Sequence, residues 1–213
     1  EDEDESDKTM RRSHNMSGRV DKELHKYLTT WAQYRRRLEY DSEAEEEDRT
    51  TDTYLLHFLS SPLETLDTDL SLSHTVLKEG TKTRSKTTSA LLQIGARLRE
   101  GADLDVDGNI IRSENLESDT ETTTKSIDSN LRLELTRMLT AEIEYNIDWT
   151  ETEGETDSGS DWTSNSEITF YWRPSHDFYF RGSYGINDNK SGDETSRQQY
   201  NMNWLMTEKM QLS

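Results

Sequence analysis

The densest set of potential ligand atoms in the chain is Asp103-Leu104-Asp105-Val106-Asp107-Gly108-Asn109-Ile110-Ile111-Arg112-Ser113-Glu114. Read as a calcium loop, it offers carboxylates at positions one, three and five (Asp103, Asp105, Asp107). Gly108 stands at the sixth position, Asn109 follows it, and Glu114 is at the twelfth. Hard oxygen donors at that spacing wrap Ca2+ when the backbone turns sharply at the glycine. The same residues admit a strand. Leu104 and Val106 alternate with the aspartates, Ile111 occupies the ninth position, and the Thr-rich segment from Glu117 to Lys125 makes a poor exiting helix. On a strand, Leu104 and Val106 would face one way and the three aspartates the other.

Nucleophilic catalysis has little to work with. Ser73-His74 and Ser175-His176 are sequence neighbours, so on strands their side chains diverge to opposite faces. No serine is marked with an oriented base. There is no phosphate-cradling glycine loop, no histidine pair at metal spacing and no cysteine. The acidic runs Glu1 to Glu5 and Glu43 to Asp48 suit solvated loop better than a site. These features predict a protein that is not an enzyme and holds no cofactor, calcium excepted.

The elements that carry these residues follow from composition. Only 30% of the 213 residues are hydrophobic, and the mean hydropathy is −1.05. So polar a chain is either disordered or folds without a continuous dry interior. Five Trp, nine Tyr and four Phe, regularly spaced, argue for folding. The net charge of −19 repels phosphates and excludes nucleic acid as a partner. No apolar run approaches the roughly 20 residues a membrane-crossing helix needs. The first residue is Glu1, so a leader is expected to be missing or already removed.

Period-two alternation is the dominant pattern. Leu131, Leu133 and Leu135 alternate with charged residues, and Leu139, Ala141, Ile143, Tyr145, Ile147 and Trp149 continue the apolar set beyond a turn. Similar runs are Ala90 to Ala96, Ala102 to Ile110, Ile168 to Trp172, Phe178 to Ile186 and Tyr200 to Trp204. About eleven alternating residues match a tilted strand crossing a bilayer. Tight connections are expected at Leu28–Thr30, Ser60–Pro62, Leu98–Gly101, Thr136–Met138, Arg173–His176 and Met206–Lys209. Long polar ones are expected at Ser42–Asp52, Leu77–Thr88, Glu114–Asp128, Thr150–Asn165 and Asn187–Arg197. Short turns at one end and long loops at the other are a feature of transmembrane barrels. Trp172, Phe178 and Trp204 flank the tight turns, whereas Tyr145, Trp149, Tyr184 and Tyr200 are expected toward the long loops, giving two aromatic belts.

The pattern predicts an all-β fold of about twelve antiparallel up-and-down strands, forming a transmembrane barrel or part of one. Residues 1–19 would be an acidic segment or loop and residues 20–213 the hairpin repeats. Val20 to Asp48 also allows a helix, since Leu24, Leu28, Trp31, Tyr34 and Leu38 fit a helical stripe. As a hairpin, the same stretch puts Arg36 on the lipid face with Ala32, Tyr34, Leu38 and Tyr40. That placement would cost roughly 2–4 kcal/mol near mid-bilayer.

The segments Asn130 to Tyr145 and Asn201 to Met210 resemble the hairpin-repeat barrels of Gram-negative outer membranes, including porin-like and MtrB/PioB-like barrels. The chain stops at Leu212-Ser213, shortly after a turn, which suggests an excerpt of a larger barrel. The resemblance implies an outer-membrane location, the bilayer as a partner, and a lumen passing small polar solutes or cations. For the MtrB/PioB-like kind it implies a sheath around a partner protein such as a multihaem cytochrome. A soluble β-rich calcium-binding surface protein is the alternative from another class. The expected lumen lining is Arg132, Glu134, Glu142, Glu144 and Asp148, joined by Asp103, Asp105 and Asp107, by Asp67 and Asp69, and by Arg97 and Arg181. Carboxylates outnumber bases there, which favours cations.

Overall fold

The computed structural model describes residues 11–41, 48–154 and 158–204. These form eleven strands: β1 (Arg11–His25), β2 (Leu28–Asp41), β3 (Arg49–Leu63), β4 (Leu66–Glu79), β5 (Lys82–Arg99), β6 (Ala102–Asn115), β7 (Thr120–Thr136), β8 (Leu139–Gly154), β9 (Gly159–Ser175), β10 (Phe178–Asn189) and β11 (Thr195–Trp204). Each pairs antiparallel with the next in one up-and-down sheet. Among the described residues β1 and β11 are not paired with each other. The expected turn at Met206–Lys209 lies outside the described residues.

The helical option for Val20 to Asp48 is replaced by a hairpin as far as Asp41, where β1 and β2 pair from Arg11↔Asp41 to His25↔Leu28, and residues 42–47 lie outside the described residues. The proposed boundary after residue 19 falls inside β1, so residues 11–19 belong to the same sheet as those that follow.

At one end, here the near end, every connection is two residues long: Lys26-Tyr27, Glu64-Thr65, Glu100-Gly101, Arg137-Met138 and His176-Asp177. Three of these lie two or three residues from where proline or polarity pointed. Pro62 and Pro174 lie within the last residues of β3 and β9 rather than in the turns. A missing N–H is tolerated at a strand end or bulge, and the β3–β4 register is irregular between Ser60 and Leu63. Gly101 has φ +75°, and an added Cβ would meet the Glu134 Cβ at 3.0 Å, so this turn requires glycine.

At the far end, two of the expected long loops are short among the described residues. Leu77–Thr88 is a two-residue turn, Gly80-Thr81, and Glu114–Asp128 contracts to Leu116–Asp119. The residues taken for loop are Thr- and Ser-rich strand, as in Thr120-Glu-Thr-Thr-Thr124. Threonine is β-branched and suits a pleated sheet whether or not either face is dry. Strands of up to 18 residues result, well beyond what a bilayer needs.

The far end is cross-linked by ion pairs. Glu79 accepts from Arg49 Nη2 at 2.9 Å and Arg84 Nε at 2.8 Å, and Arg84 also meets Glu117 at 3.1 Å. The Arg49 hydrogen bond, opposed by some desolvation and aided by Arg84, holds the Glu79 carboxyl below its usual pKa. A depressed folded pKa stabilises fully above the ordinary carboxylate pKa and ceases to do so as pH falls through the lowered value. Amide protection at the Gly80-Thr81 tip is therefore expected to drop on acidification below about pH 4. The Glu79→Gln variant should lack that drop, and identical acid profiles for the two proteins would rule the role out.

Side chains sort by face. Among the described residues only two apolar side chains are buried, Ala102 and Ala141, and the strands form a single layer without a dry core. In-register rungs on one face are largely apolar, for example Leu66–Ala96–Leu104–Leu131–Ile143–Ile168–Tyr184. Exposed members include Leu56, Leu72, Leu92, Ile110, Ile127, Ile143, Phe170 and Trp172. An apolar sheet face of this extent is not found bare in water.

This face has tryptophan edges. Trp162 pairs with Trp149 toward the far end, and Trp172 packs edge-on against Phe178 at 5.5 Å near the turns. Trp162 and Trp172 are ten residues apart on β9. At about 3.4 Å per residue and a tilt near 40°, that spans about 26 Å, close to the apolar band of outer-membrane barrels. The near belt is where it was expected. Of the far set only Trp149 reaches its edge. Tyr145 lies mid-band, Tyr184 pairs with Ile168, and Tyr200 pairs with Gly182 toward the turns. The far edge is completed instead by Trp162 and, one rung beyond, by Tyr34 and Tyr54, whose rings meet tilted at 5.1 Å.

Candidate functional site

The opposite face is polar and carries the groups able to act on a solute. All of the expected lining residues fall on it: Asp67, Asp69, Arg97, Asp103, Asp105, Asp107, Arg132, Glu134, Glu142, Glu144, Asp148 and Arg181. Register then adds what alternation alone did not. One rung runs Asp69–Gln93–Asp107–Asp128–Asn146–Asn165–Asn187, and the next, toward the near end, runs Asp67–Gly95–Asp105–Asn130–Glu144–Glu167. Asp107 stands directly across from Asp128, and Glu144 directly across from Glu167. Each is a like-charge cross-strand pair, which costs stability. Asn146 donates a hydrogen bond to Asp128, and Thr169 donates to Glu167 at 3.1 Å.

Bases sit on the following rungs. Arg97 is 3.4 Å from Asp103, Arg132 lies in register between Asp103 and Glu142, and Arg181 lies over the Tyr171 ring at 5.5 Å. The carboxylate belt is thus bordered on its near side by an arginine row. On the far side of the belt, His57 contacts Asp69 at 2.5 Å and packs on Trp31 at 4.9 Å. The face is not uniformly polar, because Trp31, Leu55, Leu59, Leu91 and Ile111 share it toward β2–β6.

Asp128 and Glu167 escaped sequence reasoning. Asp128 falls at the end of an expected loop, yet Ile127, in step with Leu131 and Leu133, signals a strand that starts earlier. Glu167 was legible as the alternate of Ile168, Phe170 and Trp172.

The calcium-loop residues are not brought together. Asp103 to Asn109 lie along extended β6 on the polar face, while Glu114 is on the apolar side, paired with Glu121 and Lys86. Alternate residues on a strand are about 6.8 Å apart, so the five cannot wrap one ion. No cluster of three or more potential metal ligands occurs among the described residues. The Ser–His neighbours make no catalytic pair either. Ser73 bonds Ser89 at 2.7 Å, His74 Nδ1 meets Thr88 at 2.9 Å on the other face, and His176 sits in a turn beside Asp177.

Arg36 does lie on the apolar face, but not at mid-band. It is two rungs beyond the last apolar rung, 3.6 Å from Asp52, so the expected mid-bilayer penalty does not arise.

No protein-family model matches the chain, and no curated protein matches it. Solved structures do. The chain is similar to the siderophore receptor PirA from Pseudomonas aeruginosa at 9% identity and a TM-score of 0.69, covering 94% of this chain and 39% of that one. It is similar to the ferric-catecholate import receptor Fiu from E. coli K12 at 9% identity and 0.60, covering 95% and 51%. It is also similar to a loop-deleted OmpT, an outer membrane protein of Vibrio cholerae, at 7% identity and 0.50, covering 92% and 97%. The chain therefore spans about two fifths to one half of the two receptors. Its fold is that of bacterial outer-membrane β-barrels, and the likeness is to such barrels in general rather than to the MtrB/PioB-like kind.

Proposed function

We propose that this sheet is wall of a bacterial outer-membrane channel, with its apolar face against lipid and its polar face lining a lumen that passes small polar solutes, cations ahead of anions. The fold alone does not carry this reading. The observation that carries it is the carboxylate belt with two directly opposed pairs, Asp107·Asp128 and Glu144·Glu167. A local rule broken at a stability cost points to a functional demand. Aligned carboxylates facing a water-filled lumen between low-dielectric walls attract cations and repel anions. In hydrocarbon every backbone group must be paired, so β1 and β11 each take a neighbour there, either each other or further strands. No chemical transformation is assigned to the face.

Reversal potentials across planar bilayers holding the protein, under a salt gradient, test the reading. Cation preference that fades as salt is raised is expected, and anion preference would overturn it. A second reading, implied by the MtrB/PioB-like resemblance, is a scaffold around a partner such as a multihaem cytochrome. The strip of Trp31, Leu55, Leu59, Leu91 and Ile111 on the polar face favours it, since apolar side chains facing a lumen suit a protein surface better than passing ions. Absence of any conductance from the reconstituted protein would support this occupant over open passage.

A further inference from the structure

Beyond the far edge of the apolar band, the apolar face carries charge that is segregated by strand. On β2–β5 the two rungs beyond Tyr34–Tyr54–His74 bear Arg36, Lys78 and Lys86 against one acid, Asp52. On β6–β8 the first of those two rungs bears Glu114, Glu121 and Glu153, with Arg112 and Glu151 on the Tyr34 rung itself and Lys125 at the band edge. In a chain of net charge −19 the β2–β5 sector is a locally positive exception.

Burial sharpens that exception. The Asp52 side chain is only 8% exposed and lies beneath Arg36 (3.6 Å) and Lys78 (3.7 Å), with the Tyr34 hydroxyl donating to it at 2.7 Å. The Arg36, Lys78 and Lys86 side chains are 44%, 41% and 43% exposed, and Lys86 stands 3.9 Å from Glu114 at the sector's edge. A covered acid under exposed bases presents positive potential to an approaching anion. Arg36 Nε is buried without a hydrogen-bond partner. Immediately below, a groove of about 610 Å³ is floored by Leu56, Leu72, Ala90 and Ile110, with Arg112 and Glu114 at its far rim.

We infer that this sector seats an anionic membrane lipid, its phosphate held by Arg36, Lys78 and Lys86 and an acyl chain lying along the Leu56–Ile110 groove. The adjoining Tyr34–Tyr54 pair marks the headgroup level, where amphipathic rings belong. Because the shorter connections mark the periplasmic side of such barrels, and the described near-end turns are all of two residues while connections 116–119 and 190–194 at the far end are longer, the lipid belongs to the outer leaflet. The occupant is a lipid rather than a soluble anion, because the bases stand on the apolar face, beyond the Tyr34–Tyr54 level and above the Leu56–Ile110 groove.

The inference rests on the apolar face meeting lipid, and the test separates the two. The detergent-solubilised full chain is offered dioleoylphosphatidic acid and dioleoylphosphatidylcholine in equal amounts, and bound lipid is counted by native mass spectrometry. Preference for the phosphatidic acid is expected, falling about fivefold for each base lost in Lys78→Gln/Lys86→Gln. That variant leaves the Arg36·Asp52 contact intact. Lys78→Arg/Lys86→Arg should restore the preference, and Lys82→Gln/Lys190→Gln, with the same charge loss at the strand tips, should keep it. An unchanged preference in the Lys78/Lys86 variant, or an equal fall in the tip variant, overturns the site. So does release of bound lipid by millimolar inorganic phosphate, which would mark a soluble-anion site. Equal binding of both lipids overturns only this inference, whereas binding of neither overturns the membrane placement itself.

Discussion

Ile143→Arg is expected to destabilise the folded protein in lipid by about 2–4 kcal/mol, the cost of arginine near the midplane of a barrel's lipid face. Ile143 lies near the centre of the apolar band, in register with Leu131 and Ile168, two rungs from Leu139 and three from Trp149. Its neighbour Glu144 points the other way, across from Asn130 and Glu167. Glu144→Arg therefore enters a polar face and relieves one like-charge pair, so its effect on stability should stay within about 0.5 kcal/mol. Two adjacent substitutions to the same residue thus separate the faces. Urea titration of the protein folded in lipid vesicles gives both values, and equal losses, or a larger loss for Glu144→Arg, would refute the assignment of faces.

That contrast was legible in the sequence because alternation is local. Leu131 to Trp149 states its own period, and one tight turn at Arg137-Met138 fixes which residues share a side. Register across strands was not legible in the same way. It depends on where each strand begins, and Thr-rich stretches such as Thr120 to Lys125 carry no apolar alternation to mark a start. The long-loop expectation failed there for the same reason: a strand solvated on both faces reads as loop. Once pairing is known, Asp128 and Glu167 join the belt, Arg36 moves out of the bilayer to meet Asp52, and Glu114 leaves the aspartates it was grouped with. The motif at Asp103 misled because carboxylates at every second position are shared by a calcium loop and by one side of a strand. Only backbone conformation separates the two.

Register also decides which charge reversals matter most for passage. Asp107→Lys/Asp128→Lys is expected to move the cation-over-anion permeability ratio about twentyfold toward anions in 0.1 M salt. A unit charge about 8 Å from a permeating ion acts with about 0.5 kcal/mol in water, and screening at this salt roughly halves it. Reversing a carboxylate changes the energy of a cation and of an anion by twice that amount in opposite senses, and two reversals compound. At 1 M salt, where the screening length is about 3 Å, the same change should be less than about twofold. Glu142→Lys/Glu144→Lys should move the ratio the same way, and by less, because Glu142 already faces Arg132 in register. Glu151→Lys/Glu153→Lys reverses as much charge on strand β8, but those residues lie on the apolar side beyond the band edge, away from the belt. Their effect should be small at either salt. Reversal potentials of the three variants in both salts provide the comparison. A Glu151/Glu153 shift equal to that of Asp107/Asp128 would mean that overall charge, and not a lumenal belt, sets the preference.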